Sequence, residues 1–181
     1  ALTAGQTYTF TENVKVYAHW IEFARYLITI NYNGGDQMML PTTYTEGKGA
    51  TINGATRKGY TFKGWVETDS AGNRISEPQL VANIPKTATG DKYFDAIWEV
   101  KHYTVNFTSV SGTVSVPTMT FVYGQPITNL PTVSGNEGTF LCWKYKGSEI
   151  KEGELWNIDA SGITVEAEII RKFVFSFAEK G

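Results

Sequence analysis

Cysteine is nearly absent: Cys142 stands alone in 181 residues. One sulfur builds neither an intrachain disulfide framework nor a thiolate metal site. Long apolar runs are also missing. None approaches the roughly 20 residues that span a bilayer, so no membrane insertion is expected in this segment. Charge of one sign is lacking too, with 16 basic residues against 18 acidic and a formal charge of −2. Residues 26–100 and 101–181 each carry seven basic and eight acidic side chains. Without a basic half there is no electrostatic footprint for nucleic acid and no polybasic patch for anionic lipid.

Catalytic groups are sparse. The two histidines, His19 and His102, each lie beside a strand-like segment. No G-x-S-x-G elbow presents a serine to either. The glycines of "GKGATING" (47–54) lack phosphate-loop spacing. Glu149, Glu152 and Glu154 alternate with lysines and lack the spacing of a calcium loop, so a solvated hairpin tip is expected there. Neither an enzyme, a metal nor a cofactor is expected. The start "ALTAGQTYTF" has no Met and no signal-peptide pattern, and reads as a piece cut from a longer or processed protein.

The chain does contain a repeat, and a composition 41% hydrophobic and 14% aromatic able to fill small cores. Three strand-like segments end alike: "VKVYAHW" (14–20), "KYFDAIW" (92–98) and "ITVEAEI" (163–169). Ala96 follows Ala18 by 78 residues (96 − 18), and Ala167 follows Ala96 by 71 (167 − 96). Each segment is followed by another aromatic strand: "YLITINY" (26–32), "YTVNF" (103–107) and "FVFSF" (173–177). Trp65 and Trp143 are likewise 78 apart (143 − 65). Landmarks recurring in order at one spacing define tandem units. The expected division is a closing strand of a preceding or partial repeat (1–21), a first full repeat (24–99), a second, divergent repeat (101–171) and a tail strand (172–181).

Within each unit, period-2 alternation dominates, as in Val165, Ala167 and Ile169 set against Glu166 and Glu168. "ISEPQLVANI" (75–84) has room for one short helix after Pro78. The expected fold class is therefore α+β, mainly β. The joints "IEFAR" (21–25) and "EVK" (99–101) are short and poor in Gly, Ser and Pro, which suits an elongated arrangement with restricted bending.

"RKGYTFKGW" (57–65) admits two readings, a ligand platform or a brace. Simple alternation sets Tyr60, Phe62 and Gly64 on one face, with Thr61, Lys63 and Trp65 on the other. The second unit keeps Phe140 and Trp143 but replaces Tyr60 by Gly138, Lys63 by Leu141 and Gly64 by Cys142. Persistence of only the large aromatics favours the brace. The candidate binding residues are then aromatic: Trp156, which lies outside the shared landmarks, with Trp143, Tyr145 and Tyr123, and Tyr44 as further stacking area.

The stretch "ITINYNGG…LPTTYTEG…RKGYTFKGWVETDSAGN…IPKTATGDKYFDAIW" resembles the Listeria–Bacteroides repeat, the internalin B B-repeat type of bacterial surface proteins. Residues 26–98 match its pattern closely and 102–170 more loosely. The resemblance implies small β-grasp-like domains in tandem, extracellular at the bacterial cell surface, serving adhesion or spacing. It transfers no catalytic residue. A monomer within a longer chain is expected, with a host or cell-surface protein or a glycan as the partner to test.

Overall fold

A computed structural model of the chain describes residues 5–135 and 138–171. The tail strand expected at 172–181, and Asn136 and Glu137 of the "GNEG" turn, lie outside the described residues. The first repeat comprises β1 (Arg25–Asn31), β2 (Thr43–Thr45), β3 (Ala50–Ile52), β4 (Tyr60–Thr68), β5 (Ala82–Ile84) and β6 (Lys92–Val100). The second comprises β7 (His102–Thr108), β8 (Thr113–Val114), β9 (Thr118–Val122), β10 (Val133–Ser134), β11 (Thr139–Tyr145), β12 (Ser148–Ile150) and β13 (Ile163–Ile170).

The two repeats share the central arrangement of their main sheets, but the second adds an edge strand, β12, and the small sheets arise at different points in the strand order. The main sheets run β2-β1-β6-β4 and β9-β7-β13-β11-β12, and β3 with β5 or β8 with β10 forms a small second sheet. In each repeat the closing strand is central. It runs parallel to the opening strand (β1 with β6, β7 with β13) and antiparallel to the tryptophan strand (β4 with β6, β11 with β13). Buried on the inner face, Val105 and Phe107 alternate with exposed Thr104 and Asn106, the half-buried pattern the sequence predicts.

The helix expected within 75–84 is not formed, and the described residues contain none: the fold is all-β rather than α+β. The cause is pairing. Gln79 exchanges two backbone hydrogen bonds with Trp65, at 2.8 and 2.9 Å, and Ala82–Ile84 pairs with Ala50–Ile52. These tertiary ladders occupy the groups a helix would need.

The faces of the "GYTFKGW" strand also differ from simple alternation. The register slips between Phe62 and Gly64, so two residues of β4 oppose one of β6; β11 slips at the same place, between Phe140 and Cys142. These bulges reset the alternation by one residue. Phe62 and Trp65 therefore meet edge to face at 5.2 Å, and Phe140 and Trp143 meet at a tilt at 5.3 Å. Each tryptophan is almost wholly buried and donates Nε1 to a carbonyl twelve residues earlier, Asn53 or Pro131, at 2.8 Å in both cases.

Glycine is required at position 64. Its φ is +130°, and an added Cβ would lie 2.7 Å from the Gln79 backbone nitrogen. Replacing Gly64 by Ala is expected to destabilise the first repeat by roughly 2–4 kcal/mol. Chemical denaturation followed by repeat-resolved hydrogen exchange checks this, with β7 and β13 keeping their protection.

Candidate functional site

Of the four aromatics singled out for binding, two are core. Trp143 is 2% exposed and meets Phe107 edge to face at 4.9 Å; Trp156 is 1% exposed and stacks on Phe121 at 4.7 Å. Trp156 is private to the second repeat for a packing reason. Gly47 donates its N–H to Lys86 O, and Gly124 donates to Trp156 O, so Trp156 takes the backbone place held by Lys86 in the first repeat. There a large ring fills the second core. Neither indole is available for stacking against a sugar. Tyr44 is buried as well and donates its hydroxyl to Gly90 O at 2.6 Å.

Tyr145 and Trp156 do share the wall of a groove of about 360 Å³, with Ile127, Ile150, Leu155 and Lys146. The Trp156 indole N–H has no acceptor among the described residues. Tyr123 lies elsewhere, at the joint between the repeats.

That joint is the most specific arrangement in the chain. Lys101 is the sole residue between β6 and β7. Its N–H donates to Gly59 O at 2.9 Å, and its carbonyl accepts Tyr123 N–H at 3.1 Å. Asp159 completes the clasp. Its Oδ1 accepts the Tyr103 hydroxyl at 2.5 Å and Lys101 Nζ at 3.0 Å, while its Oδ2 accepts the Gly59 N–H at 2.8 Å. Tyr103 and Lys101 thus aim the carboxylate, and Gly59 of the first repeat is what it holds.

Sterics enforce the choice of Gly59. It has φ +74°, and a Cβ there would lie 2.1 Å from the Tyr123 ring. That ring meets Tyr60 edge to face at 6.1 Å, and the Arg57 guanidinium caps Tyr60 at 3.7 Å. "RKGY" therefore serves the joint, whereas the phenylalanine and second tryptophan-side half of "GYTFKGW" serves the core. Sequence reasoning missed Asp159. The available signal was a carboxylate in the otherwise uncharged "NIDASGI" stretch of the divergent repeat.

The Tyr103 hydrogen bond, then the Gly59 N–H and Lys101, hold the Asp159 carboxyl down at about 2. Burial and the same hydrogen bond raise Tyr103 above the usual phenol range. A depressed carboxylate stabilises the folded joint fully above its ordinary value of 3.8, and this contribution is lost as pH falls through about 2. Cys142 Sγ donates to Glu168 Oε2 at 3.2 Å, and burial, followed by that bond, raises its pKa. No cluster of His, Cys, Asp and Glu suited to a metal occurs among the described residues.

The fold and the joint define a class: tandem all-β repeats with a common central strand arrangement, connected through a pinned linker. The Listeria-Bacteroides repeat domain matches residues 26–91 and 103–169, and the chain belongs to that family. A relative from Evansella cellulosilytica, described as a "Putative membrane protein", is 30% identical over 140 residues, which is 75% of this chain and 19% of the relative. The chain thus spans about a fifth of that relative's length. No solved structure matches.

Two measurements follow from this chemistry. In carbonyl-detected NMR, Asp159 is expected to titrate near 2, and Tyr103→Phe should move it toward the ordinary carboxylate range. Cys142 is expected to react with a disulfide reagent at pH 8 about tenfold more slowly than an unhindered thiol.

Proposed function

We propose that this chain is a non-catalytic spacer of an extracellular bacterial surface protein. Its β-grasp-like repeats are arranged end to end with restricted bending, and it contributes to adhesion by carrying other domains away from the cell. The topology suits the grasp reading, since a closing strand lies parallel to the opening strand in mid-sheet. Membership of a repeat family typical of bacterial surface proteins, and a relative described as a membrane protein of which this segment is a fraction, support the location. The joint carries the mechanical part of the reading. A single linker residue, fixed at both its N–H and its carbonyl, leaves little freedom between the repeats.

Residual dipolar couplings test this reading. One alignment tensor should fit both repeats of the native chain. Asp159→Ala and Gly59→Ala should each separate the two tensors while leaving both repeats folded. Two independent tensors in the native chain would defeat the spacer reading.

The groove beside Tyr145 favours a second reading, a carbohydrate- or protein-binding module. The groove is lined by Lys146, Glu149 and Glu154 together with Ile127, Ile150 and Leu155, so charged and apolar side chains meet there. Under the spacer reading, a glycan and peptide array should give no saturable hit that Tyr145→Ala abolishes. Such a hit would replace the spacer with the binder.

A further inference from the structure

The second repeat has an edge strand that the first lacks. β12 is the outermost strand of its sheet, paired with β11 on one side only. The hairpin between them turns on Lys146 and Gly147, at φ +49° and +84°. Two central residues with positive φ make a type I′ turn, which closes on a hydrogen-bonded pair, here Tyr145 with Ser148. Bonded and open pairs alternate along an antiparallel ladder, so Trp143 with Ile150 is bonded and Lys144 with Glu149 is open. Glu149 therefore turns both its N–H and its carbonyl away from β11. Neither has another backbone partner among the described residues.

The same register sorts the side chains. Tyr145, Ser148 and Ile150 share the face of Trp143, and the groove lies on that face, where Ile127 and Leu155 also line it. Glu149 and Lys144 take the opposite face. The charges around the groove are unevenly answered. Lys146 Nζ lies over the Tyr145 ring at 5.3 Å. Glu149 has only a loose contact with Lys151 at 3.5 Å, and Glu154 has no ion pair among the described residues. An outward N–H and carbonyl on one strand residue, beside an apolar groove, suit an extended peptide rather than a sugar, because a peptide backbone carries the matching acceptor and donor.

We propose that β12 is a docking edge for an extended peptide of the pattern apolar–Lys/Arg–apolar, which adds to it as an antiparallel strand. The proposal rests on the binding reading of this groove and not on the spacer reading. Antiparallel addition lets one peptide residue exchange both hydrogen bonds with Glu149, whereas parallel addition divides them between two residues. That central residue shares the face of the Glu149 side chain, where a cation makes a favourable cross-strand pair. Its two neighbours stand opposite Ser148 and Ile150 and turn toward the groove, where apolar side chains meet Ile127, Ile150 and Leu155.

The test uses the full chain, an array of blocked peptides varied over every amino acid at three central positions, and a glycan array. Bound peptides are expected to be enriched in apolar–Lys/Arg–apolar cores and to shift the amide signals of residues 148–150 saturably. Methylating the central backbone nitrogen of the best peptide removes the donor aimed at the Glu149 carbonyl. Binding should weaken by at least about tenfold. Glu149→Pro removes the outward N–H at an edge position and should weaken binding similarly, with the Trp143–Ile150 pair intact. Peptide binding that ignores both changes, or enrichment in other cores, overturns the proposal and leaves the binding reading standing. A glycan hit without a peptide hit does the same. No hit on either array overturns both. Shifts at 148–150 that grow with protein concentration alone assign the edge to a second copy and also overturn the proposal.

Discussion

One extra residue in one strand sets the core of each repeat. A unit of this size, without a helix, has little apolar surface to bury, and its largest contributions come from aromatic rings. In regular alternation Phe62 and Trp65 would face opposite ways. The bulge at Lys63 turns them to the same side, and the bulge at Leu141 does so for Phe140 and Trp143. The rest of each core gathers on these pairs: Ile28, Ile52, Phe94 and Ala96 in one, Val105, Phe107, Ile163 and Val165 in the other. The buried indole N–H groups meet fixed carbonyls, so burying the rings strands no donor there. The bulged position itself points outward, which is why it tolerates lysine in one repeat and leucine in the other.

The same motif links the core to the joint. Tyr60 begins β4, which carries the core Trp65 in its middle, so the loop preceding β4 inherits its position from the core. Gly59 in that loop offers its N–H to Asp159 and its carbonyl to Lys101. A residue with a Cβ would push Tyr123 away and break both bonds together. Ring contact and backbone pairing are thus coupled through one glycine, and the repeats dock through groups that each fold holds independently in place.

Much of this was legible in the sequence, because repetition converts one ambiguous pattern into two aligned ones. The alanine and tryptophan spacings locate the units, and the persistence of Phe and Trp amid changed neighbours marks the brace. Four features were not legible, each because a distant partner decides it. The 75–84 segment has an acceptable helical pattern, but Gln79 finds Trp65 and Ala82–Ile84 finds β3. The bulge is invisible in a string that alternates plausibly without it. Trp156 seemed special because it lacked a counterpart, yet the missing counterpart is Lys86, and the difference lies in how the second core is filled. Asp159 looked like any surface carboxylate until Tyr103, 56 positions earlier, and Gly59, 100 positions earlier, converged on it.

The charge distribution bears on what kind of joint this is. Two ion pairs lie in water: Lys63 with Glu99 and Arg74 with Glu77 have side chains at least half exposed. Such pairs contribute from nothing to about 1 kcal/mol and weaken with salt. Asp159 is different, with 22% of its side chain exposed and its two oxygens taking three hydrogen bonds. One of those donors is a neutral phenol and another a backbone amide, so two of the three bonds are not exchanged for mobile ions in solution. The Tyr60–Tyr123 contact is likewise insensitive to ionic strength. A connection between repeats built from short charge-assisted hydrogen bonds and ring packing, on a chain of nearly balanced charge, keeps its geometry as the surrounding salt changes.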